Sequence, residues 1–85
     1  MEIKIGKVTH FYNQISVAVL KLEDVLKSGD KIVIIGKTTE LTQVVTSMEI
    51  EHHKVQSAGP GMDVALKVVE PVRQGDIVCK IVEDK

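Results

Sequence analysis

A short signature occurs twice in the chain, as Leu26-Lys27-Ser28-Gly29-Asp30-Lys31-Ile32-Val33 and as Val72-Arg73-Gln74-Gly75-Asp76-Ile77-Val78. Each copy is an apolar residue, a basic residue and a polar residue, followed by Gly-Asp at the head of an apolar run. Glycine reaches the positive φ of a tight turn without steric penalty, and an aspartate carboxylate accepts hydrogen bonds from nearby backbone N–H groups. Each copy therefore reads as a corner that launches a strand. The architecture it predicts is β.

With 85 residues there is room for a single small domain over residues 1–85, in which folding hides about 60–65% of the surface of the unfolded chain. One Phe, one Tyr and no Trp leave an aliphatic, β-branched core, which favours strands over helices. Eleven basic residues against twelve acidic ones give near-neutrality with no block of like charge, so net charge offers no support for nonspecific nucleic-acid binding. Cys79 is alone, which excludes an internal disulfide and suits a reducing compartment. The start Met1-Glu2-Ile3-Lys4 lacks the apolar core of a signal peptide, and no apolar stretch is long enough to span a membrane. The expected location is the cytoplasm, with no membrane partner.

Ile3 and Ile5 alternate with Lys4 and Gly6, while Val8 falls out of register, which marks Gly6 as a bulge or bend. Ile15, Val17 and Val19 alternate with Ser16, Ala18 and Leu20, and the polar end of Tyr12-Asn13-Gln14 predicts a hairpin between these two strands. Leu22 to Ser28 has helical spacing but is too short to stand as a helix in water, so it reads as a loop with inward apolar anchors. Lys31 to Ile35 is apolar on both faces, as expected for a strand covered on two sides. Leu41 to Glu51 is the longest strand candidate; His52-His53-Lys54 interrupts it, and Ser57-Ala58-Gly59-Pro60-Gly61 is the strongest break. Met62, Val64, Leu66 and Val68 alternate in the next strand, Pro71 ends it, Ile77 to Val82 follows, and Glu83-Asp84-Lys85 is a frayed tail. The fold class predicted is all-β, a small closed antiparallel barrel of six or seven strands, because closure removes the edges that invite aggregation.

The order of these features resembles the β-barrel second domain of translational GTPases, such as elongation factor Tu and the initiation-factor GTPase. The stretches that carry the resemblance are Gly6-Lys7-Val8, Leu26 to Gly36, Val45-Thr46-Ser47-Met48-Glu49, Ala58-Gly59-Pro60-Gly61-Met62-Asp63-Val64-Ala65-Leu66, and Gly75-Asp76-Ile77-Val78. The resemblance implies a barrel of the reductase, isomerase and elongation factor type. GTP hydrolysis belongs to a separate domain in that family, and this chain has no G-x-x-x-x-G-K-[ST] loop to cradle phosphates, so no nucleotide is expected. In the elongation factors a loop between the first two strands helps hold the acceptor end of tRNA. Here that loop reads His10-Phe11-Tyr12-Asn13-Gln14 without glycine, and Asp24 stands where those factors carry glycine. Similar barrels are accessory C-terminal domains in some collagenase-like peptidases.

The chemistry-bearing residues are few. His52 and His53 are adjacent, and adjacent side chains in a strand point to opposite faces, so no metal is expected between them. Asp30 and Asp76 each have a sufficient task within a turn, and no nucleophile is accompanied by a base and an orienting group, so no catalytic residue and no enzyme activity are expected. No helix follows Gly59-Pro60-Gly61 to supply a dipole for phosphate, and no cofactor is expected. His10, Phe11 and Tyr12 form one aromatic cluster, placed on a loop, where they would stack on an unpaired base or anchor a protein contact; the alternative is that Phe11 plugs one end of the barrel. Lys27 and Arg73 are candidates to share a face if the repeated turns are neighbours. Phe11, Tyr12, Lys27, Lys54 and Arg73 are thus the candidate binding residues. The function predicted is a non-enzymatic binding module, freestanding, for tRNA, ribosomal RNA or a ribonucleoprotein, with affinity that falls as salt rises. The alternative is a protein-interaction adaptor or accessory barrel for a GTPase or collagenase-like peptidase, without RNA binding.

Overall fold

The computed structural model describes residues 1–82; the expected frayed tail lies outside these residues. The strands are β1 (Glu2–Tyr12), β2 (Val17–Leu22), β3 (Leu26–Lys27), β4 (Lys31–Ile35), β5 (Glu40–Val44), β6 (Met48–Ile50), β7 (His53–Val55), β8 (Ser57–Ala58), β9 (Asp63–Lys67) and β10 (Ile77–Ile81). All pairings are antiparallel. Eight strands form one sheet in the order β5-β4-β10-β1-β2-β9-β6-β7, and β3 pairs with β8 separately.

Strand β1 organises the sheet, pairing with β10 along its first half and with β2 along its second. Ile5 and Val8 are both buried, although residues three apart in a regular strand face opposite sides. A register shift between Lys4 and Gly6 resolves the conflict, as the sequence pattern predicted. A side chain at Gly6 would collide with the backbone carbonyl of Lys21, so glycine is what lets β1 and β2 approach there.

The two Gly-Asp corners are built alike, atom for atom. Gly29 and Gly75 both have φ of 95°. Asp30 Oδ2 accepts from the Lys27 amide at 2.9 Å, and Asp76 Oδ2 accepts from the Arg73 amide at 2.8 Å. Each corner then exchanges a reciprocal pair of backbone hydrogen bonds with a buried valine: Gly29 N–H to Val45 O and Val45 N–H to Asp30 O, Gly75 N–H to Val8 O and Val8 N–H to Asp76 O. They differ in burial. Asp76 is 6% exposed and fills the space beside Gly36, where a Cβ would meet its carboxylate, whereas Asp30 is half-buried. Loss of a buried acceptor strands its donor, so Asp76→Ala is expected to destabilise the fold by about 1–3 kcal/mol and Asp30→Ala by about 1 kcal/mol. Urea unfolding of the two variants checks the order.

The fold corrects several expectations: ten strands among the described residues replace the six or seven expected, and the expected loop from Leu22 to Ser28 contains β3, whose backbone pairs with β8. Leu41 to Glu51 is not one strand, because Val45 turns inward to hydrogen-bond the Gly29-Asp30 corner. Its first half lies on β4 and its second half on β9, on opposite sides of the sheet order. The closed barrel is also not found: the ladder runs from β5 to β7 without joining its ends. Part of the gap is spanned by a side chain. Gln43 on β5 donates from Nε2 to the Lys67 carbonyl and accepts at Oε1 from the Val69 amide, both at 2.9 Å. Gln43→Ala is expected to cost about 1 kcal/mol and to speed hydrogen exchange selectively at the Val69 amide.

Candidate functional site

A groove of about 560 Å³ runs along the outer face of β2, β9 and β6. Its position follows from alternation: Ala18, Leu20 and Leu22 fill the core, which turns Val17 and Val19 outward on the same strand. Cross-strand pairing places Val19 beside Ala65, and Ala65 beside Glu49. Val17, Val19 and Ala65 thus make an apolar floor. At one end stand Tyr12 and Ile15, 49% and 56% exposed, and Glu49, Glu51, His52 and Asp63 supply polar walls.

Three local devices shape the rim. Tyr12 is braced edge-on by His10, with ring centroids 4.2 Å apart, since residues two apart in β1 share a face. The Lys67 ammonium donates to the Ile15 carbonyl at 2.8 Å, holding the β1–β2 turn against β9. Glu51 and His52 form the two-residue turn of the β6–β7 hairpin with φ of 50° and 66°. Positive φ at both positions matches the twist of a hairpin, at a cost of about 1–2 kcal/mol per residue without glycine.

The residues expected to form the site are redistributed. His10, Phe11 and Tyr12 lie at the end of β1 rather than on a loop, because pairing with β2 continues through Tyr12↔Val17. Alternation splits the cluster: Phe11 packs against the core, while Tyr12 lines the groove. Lys27 and Arg73 do not share a corner. Strands β4 and β10 are antiparallel, with Lys31 opposite Ile81 and Ile35 opposite Ile77, so the two Gly-Asp corners lie at opposite ends of the pair, ~17 Å apart along the strands. Lys54 is exposed on β7, across from Glu49. His52 lies in the hairpin turn and His53 opens β7. Among the described residues no three His, Cys, Asp or Glu side chains are placed to hold a metal ion.

The floor residues Val17, Val19 and Ala65 were missed by sequence reasoning, although a signal existed. Strand β2 is apolar on both faces, and a strand needs only one apolar face to fill a core. What the groove can do chemically is make contact: its carboxylates, imidazole and phenol surround an apolar strip. Asp30 and Asp76, the other candidate carboxylates, are occupied by backbone amides.

No protein-family model matches the chain. Over 78 residues, 91% of its length, it is 47% identical to an uncharacterized protease of Methanocaldococcus jannaschii. The chain spans 19% of that relative. Among solved structures it is similar to the C-terminal domain of a U32 peptidase from Geobacillus thermoleovorans, with a TM-score of 0.88 and 20% identity, covering 94% of this chain and 93% of that one. The selenomethionine variant of the same domain gives a TM-score of 0.84 at 20% identity, covering 88% and 95%. These findings correct the resemblance to a translation factor and the RNA-binding expectation drawn from it. The physical reason lies in the motifs: a Gly-Asp corner satisfies backbone geometry, and any small β domain that needs such a corner can use it. The fold of this chain is that of the C-terminal domain of a U32 peptidase.

Proposed function

We propose that the chain is a non-catalytic accessory domain of a peptidase of the U32 type. The observation that carries this reading is the 47% identity to a protease over nearly the whole chain, which amounts to only 19% of that protease. Similarity confined to a minor part of an enzyme fits a module that supports catalysis performed elsewhere in the polypeptide. The organisation of the chain agrees with such a role. Its carboxylates at the corners hold backbone, and Cys79 lies between Val33 and Lys4 in the sheet.

The test exchanges segments. The M. jannaschii protease is prepared intact, without the matched segment, and with this chain in its place. Hydrolysis of a fluorescent denatured protein should fall on deletion and return in the chimera, while this chain alone leaves the substrate uncleaved. A chimera no better than the deletion, or cleavage by the chain alone, overturns the reading.

A further inference from the structure

The face of the sheet away from the core is unusually apolar where β5, β4 and β10 run together. Strand β4 is apolar on both sides. Ile32 and Ile34 belong to the core cluster, whereas Val33 is buried yet lies outside it. Register places its neighbours on the same outer side: Val33 stands beside Cys79 and Thr42, Ile35 beside Ile77, and Lys31 between Ile81 and Val44. Ile35 and Val44 are 44% and 48% exposed, and Ile77, Cys79 and Ile81 are half-buried. The rim of this strip is charged with mixed sign, by Glu40 and Lys31 within the three strands and by Glu2, Lys4 and Lys7 on β1. An apolar centre inside a charged rim is the anatomy of an interface.

Size decides what kind of partner fits. Three strands of five residues, spaced about 4.8 Å and rising about 3.4 Å per residue, present roughly 240 Å² in projection. A stable complex between free proteins buries about 800 Å² on each side. A second copy of this chain, seated on this strip alone, falls well short. A partner on the same polypeptide does not need that area, because a short linker raises its effective concentration to the millimolar range. The M. jannaschii relative has such a partner available, since the matched segment is 19% of it.

We infer that the outer face of β4 and β10, centred on Val33, Cys79, Ile35 and Ile77, seats against an aliphatic surface of the remaining part of a U32-type peptidase. This rests on the accessory-domain reading and names the surface that reading requires. Cys79 is the chain's one cysteine and lies at the centre of the strip, so it serves as a built-in footprint. An alternative seat, the Tyr12 groove on the outer face of β2 and β9, can be probed the same way with Ala65→Cys in a Cys79→Ser background.

Alkylation of each cysteine by iodoacetamide is followed by peptide mass spectrometry in the isolated chain and in the chimera with the M. jannaschii protease. The expected result is at least a tenfold slowing at Cys79 in the chimera, none at the cysteine of A65C, and recovery of the fast rate in the chimera carrying Ile35→Lys. Ile35 is exposed, so this variant folds, and circular dichroism of the isolated variant verifies it. Protection at A65C with Cys79 unprotected overturns the proposed face and leaves the accessory reading intact. Equal rates at both positions in chimera and isolated chain overturn the proposed face, while the accessory reading falls only if the chimera hydrolyses substrate no better than the deletion. Concentration-dependent protection of Cys79 in the isolated chain assigns the strip to a homodimer and overturns the proposal.

Discussion

Gly6→Ala is expected to destabilise the fold by about 3 kcal/mol, the upper range for overpacking a well-filled site. The added methyl would occupy space held by the Lys21 carbonyl and lie close to Leu22 Cα. Backbone on a paired strand cannot step aside as a flexible side chain can, so β1 and β2 must separate where the β1 bulge sets Ile5 and Val8 into the core. Gly29→Ala provides the comparison. Open space surrounds Gly29 and only its φ of 95° is at issue, so the expected cost there is about 1–2 kcal/mol. Thermal unfolding measures both; for a domain of this size 3 kcal/mol lowers the midpoint by roughly 12–24 °C. Equal, small effects at the two positions would show that β1 and β2 can part at Gly6.

Leu20→Ala is the second large effect, about 2–5 kcal/mol, from lost burial and the cavity left behind. Leu20 lies in a cross-strand row between Val8 and Val64, and all three are at most 1% exposed. The fully buried cluster is aliphatic, with Phe11 packed against it rather than within it, and β-branched neighbours such as Val8 and Val64 have little rotamer freedom. Collapse around the cavity is therefore limited. Against a total stability of about 5–15 kcal/mol, this one truncation removes a large share. Equilibrium urea unfolding checks it, and Leu20→Met, which keeps the volume, should cost less than about 1.5 kcal/mol.

The candidate surfaces show where sequence reasoning reaches and where it stops. The sequence marks Tyr12 as a candidate contact residue, and the fold places it on the rim of the groove. Adjacency in the sequence pairs Phe11 with Tyr12, but period-2 alternation sends one ring toward the core and the other to the surface. Matching motifs suggest a shared face for Lys27 and Arg73, yet identical corners at the heads of two antiparallel neighbours must lie at opposite ends. The outer strip of β4 and β10 was half legible: Lys31 to Ile35 reads as apolar on both faces, and only the register shows that Ile77, Cys79 and Ile81 extend the same strip. The translation-factor resemblance rested on corners and turns, which are solutions to backbone geometry shared across β domains.

By itself, the sequence determined what is local. Glycine at positive φ and an aspartate within reach of an amide make the two corners, alternation makes the strands, and an aliphatic composition makes the core; each depends on residues a few positions apart. Tertiary structure alone decided which strands lie side by side, where Leu41 to Glu51 divides, how Gln43 spans part of the open sheet, and which apolar residues are left facing outward. Those outcomes depend on hydrogen bonds between residues distant in the chain, and an alternating pattern says which face of a strand is apolar without saying what will lie beside it. The doubled Gly-Asp corner belongs to both accounts. Its turn was written in the sequence, while the buried valine that each copy grips, Val45 and Val8, was chosen by the fold.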